Sequence, residues 1–121
     1  MFTNEQKKEL LTLARNALKS HFTGETITLP TEPAFQAKCG VFVSLHINDD
    51  LRGCIGYIRG YKSIAESVVE MAEAAAFQDP RFPPITEKEL EQVTIEISVL
   101  GELIPMLKNE LPVIGRDGLY I

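Results

Sequence analysis

The sequence predicts an α+β fold in which an antiparallel sheet, including a β-hairpin, packs with two main helices. Two segments have the three-and-four spacing of amphipathic helices, and three runs alternate between apolar and polar residues as half-buried strands do. The chain has 121 residues, 45% of them hydrophobic, which suits one domain with its own core. No internal repeat or low-complexity segment divides it.

The first helix is predicted over residues 4–20, because Thr3 and Gln6 have the spacing of a capping box. The apolar residues that follow the box at helical spacing are Leu10, Leu11, Ala14, Ala17 and Leu18. Glycine and proline interrupt residues 21–38, so we expect a long connection there, with a short extended piece at residues 26–29.

Two strands joined by a turn are expected next. Residues 41–47 and 51–58 alternate with a period of two, and residues 48–50 between them favour a turn. A three-residue loop would place the aliphatic side chains on one face of the hairpin. In that register the facing pairs are Ile47 with Leu51, Leu45 with Gly53, and Val43 with Ile55.

Two further capping boxes follow: Ser63 with Glu66 opens the second helix, and Thr86 with Glu89 should begin a short helical turn. Prolines make the segment 77–84 between them irregular. The second helix has an apolar stripe that we assign to the core, formed by Ile64, Val68, Met71, Ala72 and Ala75.

The last third of the chain predicts a strand over residues 93–99 and, after Pro105 and Pro112, a turn at residues 115–118. Residues 119–121 would begin one more strand.

The composition disfavours several classes of function. A net charge of −5 and a pI of about 5.0 oppose binding to a nucleic-acid backbone. No run approaches the roughly 18 apolar residues of a membrane span, and the N-terminus lacks the apolar core of a signal peptide, so the cytoplasm is the expected location. Two cysteines and two histidines show no zinc-ligand spacing, and we predict neither a metal nor a cofactor.

The second face of the hairpin carries the candidate site. The predicted register places His46 opposite Arg52 and Ser44 opposite Cys54. A guanidinium and an imidazole near the thiol would lower the pKa of Cys54, and the thiolate is the form that attacks electrophiles or binds soft ligands. Cys54, Arg52 and His46 are therefore the candidate catalytic residues. The alternatives are that Cys54 is a small buried hydrophobe and that His46 is a solvent-facing strand residue.

Three neighbours of the thiol have two interpretations each. Gly53 and Gly56 would let a ligand or another backbone approach closely, or would mark a bulge or tight packing. Arg52 would bind a carboxylate or phosphate with two hydrogen bonds, or would pair with Glu96 on a neighbouring strand.

The proline-rich loop supplies two more charged residues. Asp79 and Arg81 would form an ion pair that fixes the loop, or would line a cleft. The candidate ligand-binding residues are Arg52, Gly53, Cys54, Gly56, Ser44, Glu96, Asp79 and Arg81.

These residues give the chain a resemblance to a known family. The hexapeptide 51–56, Leu-Arg-Gly-Cys-Ile-Gly, resembles the signature of the AMMECR domain family, named after the Alport syndrome, mental retardation, midface hypoplasia and elliptocytosis chromosomal region. Further stretches that are similar to this family are residues 40–43, 75–84, 95–100 and 115–119.

The resemblance implies an α+β fold with the hexapeptide lining a cleft. Domains of this family continue beyond the last matching stretch, so residues 1–121 are expected to form a single AMMECR-like domain that is truncated at its C-terminus. Relatives often accompany Memo-like and radical S-adenosylmethionine proteins, which implies a binding component of a modification pathway, with a small-molecule ligand as a further candidate. The alternative is a thiol-dependent enzyme that uses Cys54.

Overall fold

Four antiparallel strands form one sheet in a computed structural model of the chain, which describes residues 2–100 and the backbone of residues 119–120. The strands are β1 (Gly40–Ile47), β2 (Asp50–Tyr57), β3 (Thr94–Leu100) and β4 (Leu119–Tyr120), in the spatial order β2-β1-β3-β4. The predicted α+β fold and its hairpin are confirmed. The turn expected at residues 115–118 and the end of the last strand at Ile121 lie outside the described residues.

The three α-helices of residues 2–100 begin where the sequence predicts, after a Ser or Thr whose side chain accepts a backbone N–H of the first turn. They are α1 (Asn4–Thr23), α2 (Ile64–Phe77) and the short α3 (Glu87–Leu90). Helix α1 continues past its predicted end at residue 20 because Gly24, with a φ of 78°, closes it and donates its N–H to the carbonyl of Ser20.

The core lies between one face of the sheet and helices α1 and α2. The odd-numbered aliphatic residues of β1 and β3 point into it, and the predicted apolar stripe of α2 is buried. Gly53 shows how closely α2 approaches β2, since a Cβ at this position would lie 2.1 Å from the carbonyl oxygen of Ala75. The close approach of another backbone, one of the two roles considered for Gly53, is what the structure shows.

The hairpin turn is shorter than predicted. Asn48 and Asp49 both have positive φ angles, 51° and 68°, and Asp50 already pairs with Ile47. A two-residue turn of this type matches the twist of the flanking strands, and Asn and Asp tolerate the left-handed conformation that it requires. The predicted pairing of Ile47 with Leu51 is therefore wrong.

A β-bulge at Arg52 compensates for the shorter turn. His46 pairs with Leu51 and Leu45 pairs with Gly53, which leaves Arg52 without a partner in the ladder. The predicted pairing of His46 with Arg52 is wrong for this reason. Beyond the bulge the predicted register is confirmed, with the pairs Leu45 with Gly53, Ser44 with Cys54, and Val43 with Ile55.

The connection between α1 and β1 has little regular structure. A short 3-10 helix at Pro33–Phe35 places the Phe35 ring in the core, where it is fully buried. Residues 26–29, expected to be extended, pair with no strand of the described chain.

Candidate functional site

The outer edge of β2 is covered by the loop of residues 79–84, which follows α2. The backbone N–H of Cys54 donates to the Asp79 carboxylate at 3.0 Å, and Arg81 Nη2 donates to the carbonyl of Cys54 at 3.1 Å. Because β2 is an edge strand, these groups have no neighbouring strand to pair with. Two side chains of the 79–84 loop therefore satisfy the backbone of Cys54.

The Asp79 carboxylate is the centre of this attachment. Its side chain is 1% exposed, whereas that of Arg81 is 56% exposed, and Arg81 Nη2 lies 2.7 Å from Asp79 Oδ2. Arg81 also donates to Asp79 Oδ1 from its backbone N–H and from Nε, each at 3.0 Å. The hydrogen bonds from Arg81 hold the pKa of Asp79 well below its ordinary range, although burial of the carboxyl acts in the opposite direction. The predicted ion pair that fixes the loop is thus present.

Arg52 binds the other end of the same loop. Its Nε and Nη2 donate to the two carboxylate oxygens of Glu89 at 3.0 Å and 3.1 Å, and its guanidinium lies 6.0 Å from the centre of the Phe82 ring. Nη2 also donates to the carbonyl of Pro84 at 3.4 Å. The alternative of a pair with Glu96 is wrong, because the bulge directs Arg52 toward α3 instead. The hydrogen bonds from Arg52 lower the pKa of Glu89.

The thiol of Cys54 lies beside a hydroxyl. Ser44 Oγ is 3.0 Å from Cys54 Sγ, as the two residues face each other across β1 and β2, and both are buried. Burial raises the pKa of Cys54, while the hydrogen bond with Ser44 and the positive charge of Arg81 act against this rise. The expectation of a lowered thiol pKa beside Arg52 is therefore wrong: the guanidinium that acts on the thiol is that of Arg81.

The imidazole of His46 contacts a carboxylate rather than the thiol. Its Nδ1 lies 3.2 Å from Glu96 Oε1 on β3, and it forms no hydrogen bond with Cys54 among the described residues. Glu96 itself faces Ser44 across β1 and β3. Cys54, Ser44 and Glu96 thus form a polar row across three strands, with His46 beside its last member.

Gly56 permits tight packing within the hairpin. A Cβ at this position would lie 2.4 Å from the ring of Phe42, which faces Gly56 on β1. The ring occupies the space that a side chain would take, so packing accounts for this glycine without a ligand.

With this geometry in hand, comparison with known proteins identifies the family. The sequence matches the AMMECR1 family over residues 11–121. The chain belongs to the AMMECR1 family. Both halves of the candidate site, the hexapeptide on β2 and the 79–84 loop, lie within the match.

Archaeal proteins are similar to this AMMECR1 chain over nearly its whole length. A protein of Methanothermobacter thermautotrophicus is 36% identical, with 98% of this chain and 67% of the relative covered. A protein of Thermococcus onnurineus is 42% identical, with 93% and 61% covered. The solved structure of the uncharacterised protein PH0010 from Pyrococcus horikoshii matches this chain with a TM-score of 0.75 at 32% sequence identity. The match covers 93% of this chain and 62% of the PH0010 chain. The chain therefore spans about three fifths to two thirds of the length of these AMMECR1 relatives.

Sequence reasoning missed three residues of this AMMECR1 site: Glu89, Phe82 and Pro84. The sequence places Glu89 only in a capping box, in which its side chain does accept the N–H of Thr86 at 3.0 Å. The available signal was the position of Phe82 and Pro84 inside a stretch similar to the family, next to Arg81. The described part of the chain contains no cluster of three potential metal ligands. It also contains no helix that is long and apolar enough to cross a membrane.

Proposed function

We propose that this AMMECR1 domain is a binding component of a modification pathway that it shares with Memo-like and radical S-adenosylmethionine proteins, and that the 79–84 loop is its recognition surface. The attachment of this loop to the hexapeptide, through Cys54 and Arg52, is the observation that carries the proposal. Cys54 is 6% exposed, so it is poorly placed to touch a partner, whereas Arg81 is more than half exposed. In this proposal the hexapeptide holds the loop, and the loop contacts the partner.

The residue types of the loop suit this role. Pro80, Arg81, Pro83 and Pro84 are exposed, and the Arg81 guanidinium lies 5.4 Å from the centre of the half-buried Phe82 ring. Arginine and aromatic residues contribute strongly to protein interfaces. Prolines and fixed hydrogen bonds reduce the conformational entropy that a loop loses on binding. A fixed pair of an exposed arginine and a half-buried aromatic ring therefore favours recognition of a protein partner.

Substitution at Pro83 tests the proposal, because Pro83 is exposed and its side chain makes no polar contact. Pro83→Glu should weaken binding to the purified Memo-like or radical S-adenosylmethionine protein of the same genome by about tenfold, which corresponds to about 1.4 kcal/mol. Gln92→Glu is the matched control, since it adds the same charge at an exposed site after α3.

Biolayer interferometry gives the affinities, and circular dichroism checks that both variants fold. The proposal fails if neither partner binds the wild-type chain, or if Pro83→Glu and Gln92→Glu bind equally well.

A thiol-dependent enzyme is the second candidate. The contact between Ser44 Oγ and Cys54 Sγ and the charge of Arg81 favour it, because each lowers the pKa of the thiol. Burial of Cys54 counts against it, since burial is the larger influence and favours the neutral thiol. Rapid modification of Cys54 by an electrophile at neutral pH would support this candidate over the binding role of the loop.

A further inference from the structure

A groove beside α2 is formed by residues other than those of the 79–84 loop. We call it the α2 groove; it is lined by Ile27, Leu29, Lys62, Glu66, Val69, Glu70 and Glu73. Its apolar part comes from both walls, with Ile27 and Leu29 from the connection after α1 and Val69 from α2. Leu29 is 38% exposed and, with Ile27 and Val69, gives the groove its apolar surface.

The charge of the α2 groove is negative. Three carboxylates and one ammonium line it. Lys62 pairs with Glu70, which also accepts a hydrogen bond from the Tyr57 hydroxyl at 3.0 Å. Glu66 accepts hydrogen bonds from Ser63 at the start of α2. Glu73 makes no hydrogen bond or ion pair with any described residue, so its charge is available to a ligand.

Residues 26–29, in the wall opposite α2, have backbone groups that no described residue pairs with. Residues 26–29 make no backbone hydrogen bond within the described part of the chain. Their side chains alternate, because Thr26 and Thr28 are exposed while Ile27 and Leu29 line the groove. Such a segment can pair with an added strand, and the alternate side chains of that strand would then enter the groove.

We propose that the α2 groove binds an extended segment of a partner protein in which every second side chain enters the groove, and in which these groove-facing side chains are partly apolar and partly lysine or arginine. The backbone of the segment pairs with residues 26–29, and its apolar side chains cover Ile27, Leu29 and Val69. Its cationic side chains reach Glu73 and the neighbouring carboxylates of α2. An anionic segment is excluded by repulsion, since the groove has a surplus of carboxylates. This interaction does not depend on the function proposed for the 79–84 loop.

A synthetic peptide tests this proposal directly. The probe is a fluorescein-labelled peptide of about nine residues, a length suited to one strand, in which valine and lysine take turns at every second position and threonine fills the positions between them. The control peptide has glutamate in place of each lysine. Fluorescence anisotropy on the full chain should show binding of the cationic peptide alone. Amide hydrogen exchange of residues 26–29 should slow only when the cationic peptide is present.

Two charge reversals locate the site. Glu73→Lys should weaken binding of the cationic peptide by about tenfold, as expected for loss of a close charge pair. Glu91→Lys makes the same charge change at an exposed residue after α3, outside the groove, and should change the affinity by less than about twofold. Should Glu73→Lys fail to fold, Glu73→Gln replaces it, with a smaller weakening expected.

Three results would overturn the proposal. The first is no binding of the cationic peptide by the wild-type chain. The second is equal weakening by the substitutions at Glu73 and Glu91, which would mean unspecific attraction to an acidic protein. The third is self-association in analytical ultracentrifugation that Leu29→Asp abolishes, because the groove would then be occupied by a second copy of the chain.

Discussion

The Asp79 carboxylate accepts the backbone N–H of Cys54 at 3.0 Å, so an edge strand obtains a hydrogen bond from a side chain that lies 25 positions later. Asp79→Asn weakens this acceptor and places an amide against the donors of Arg81. The free energy of unfolding should fall by about 1–3 kcal/mol, as is typical when a buried charged hydrogen bond is lost. Urea denaturation measures the change.

Asp49→Asn is the control for this substitution. It makes the same chemical change in the exposed hairpin turn, where asparagine tolerates the positive φ of 68°. Its effect should stay within about 0.5 kcal/mol. Equal effects of the two substitutions would show that the buried carboxylate does not stabilise the fold.

The stability of the chain should depend on pH through Asp79. Its pKa in the folded state lies below the unfolded value of about 3.9, so the folded state favours the carboxylate. The stabilisation is therefore complete above about pH 5 and is lost as the pH falls below about 4. The difference in unfolding free energy between wild type and Asp79→Asn should shrink over this range. A difference that stays constant from neutral pH to pH 3 would contradict the assignment.

Cys54 should react slowly with iodoacetamide at neutral pH. Burial raises the pKa of its thiol above the ordinary value of about 8.5, so little thiolate is present. Ser44→Ala removes the hydrogen bond that lowers this pKa, and should shift the profile of alkylation rate against pH further upward. Ser98→Ala is the control, because Ser98 is also buried but faces Phe42. The rates are measured in a Cys39→Ser background, and a Cys54 pKa below about 8 would refute the expectation.

The ion pair between Arg52 and Glu89 should be worth more than an exposed pair. Arg52→Met and Glu89→Gln, combined in a double-mutant cycle, should give a coupling energy of about 1–2 kcal/mol, since the pair is bidentate and mostly buried. The cycle with Lys62→Met and Glu70→Gln is the control. That pair is more exposed, and its coupling should be weaker than that of Arg52 with Glu89. Equal couplings would mean that Arg52 does not hold α3 in place.

Gly53→Ala should destabilise the fold by about 1–3 kcal/mol, because its Cβ would overlap the carbonyl of Ala75 and force α2 away from β2. Gly24→Asn provides the comparison, since Gly24 has open space around it and a φ that asparagine tolerates. Its cost should be below about 1 kcal/mol. Thermal unfolding followed by circular dichroism ranks the two variants, and a larger loss at Gly24 would contradict the packing argument.

Much of the sheet could be predicted because burial of one face imposes a period of two on its strands. The pairing of Ser44 with Cys54 followed from that period together with an assumed three-residue loop, and it holds because the bulge at Arg52 restores the register that the two-residue turn shifts. The bulge at Arg52 could not be predicted in the same way. Two-residue and three-residue turns are both compatible with Asn48, Asp49 and Asp50. Because the turn has two residues, β2 has one residue more than its partner strand needs, and this residue forms the bulge.

Long-range partners and burial set the limit of prediction at the site. Glu89 lies 37 positions from Arg52, and its role in a capping box explains its presence without a distant partner. Glu96 was the more obvious partner because it lies on a neighbouring strand. The direction of the pKa shift at Cys54 depends on how deeply the thiol is buried, and sequence pattern does not measure that depth.

Asp79 and Arg81 bind the backbone N–H and carbonyl of Cys54 in the middle of β2, and these contacts also bear on aggregation. An intermolecular sheet grows when a bare strand acts as a template for the next chain, and charged side chains at that position interrupt the template. The carboxylate that fixes the shape of this surface loop therefore also interrupts the template that a bare β2 would offer.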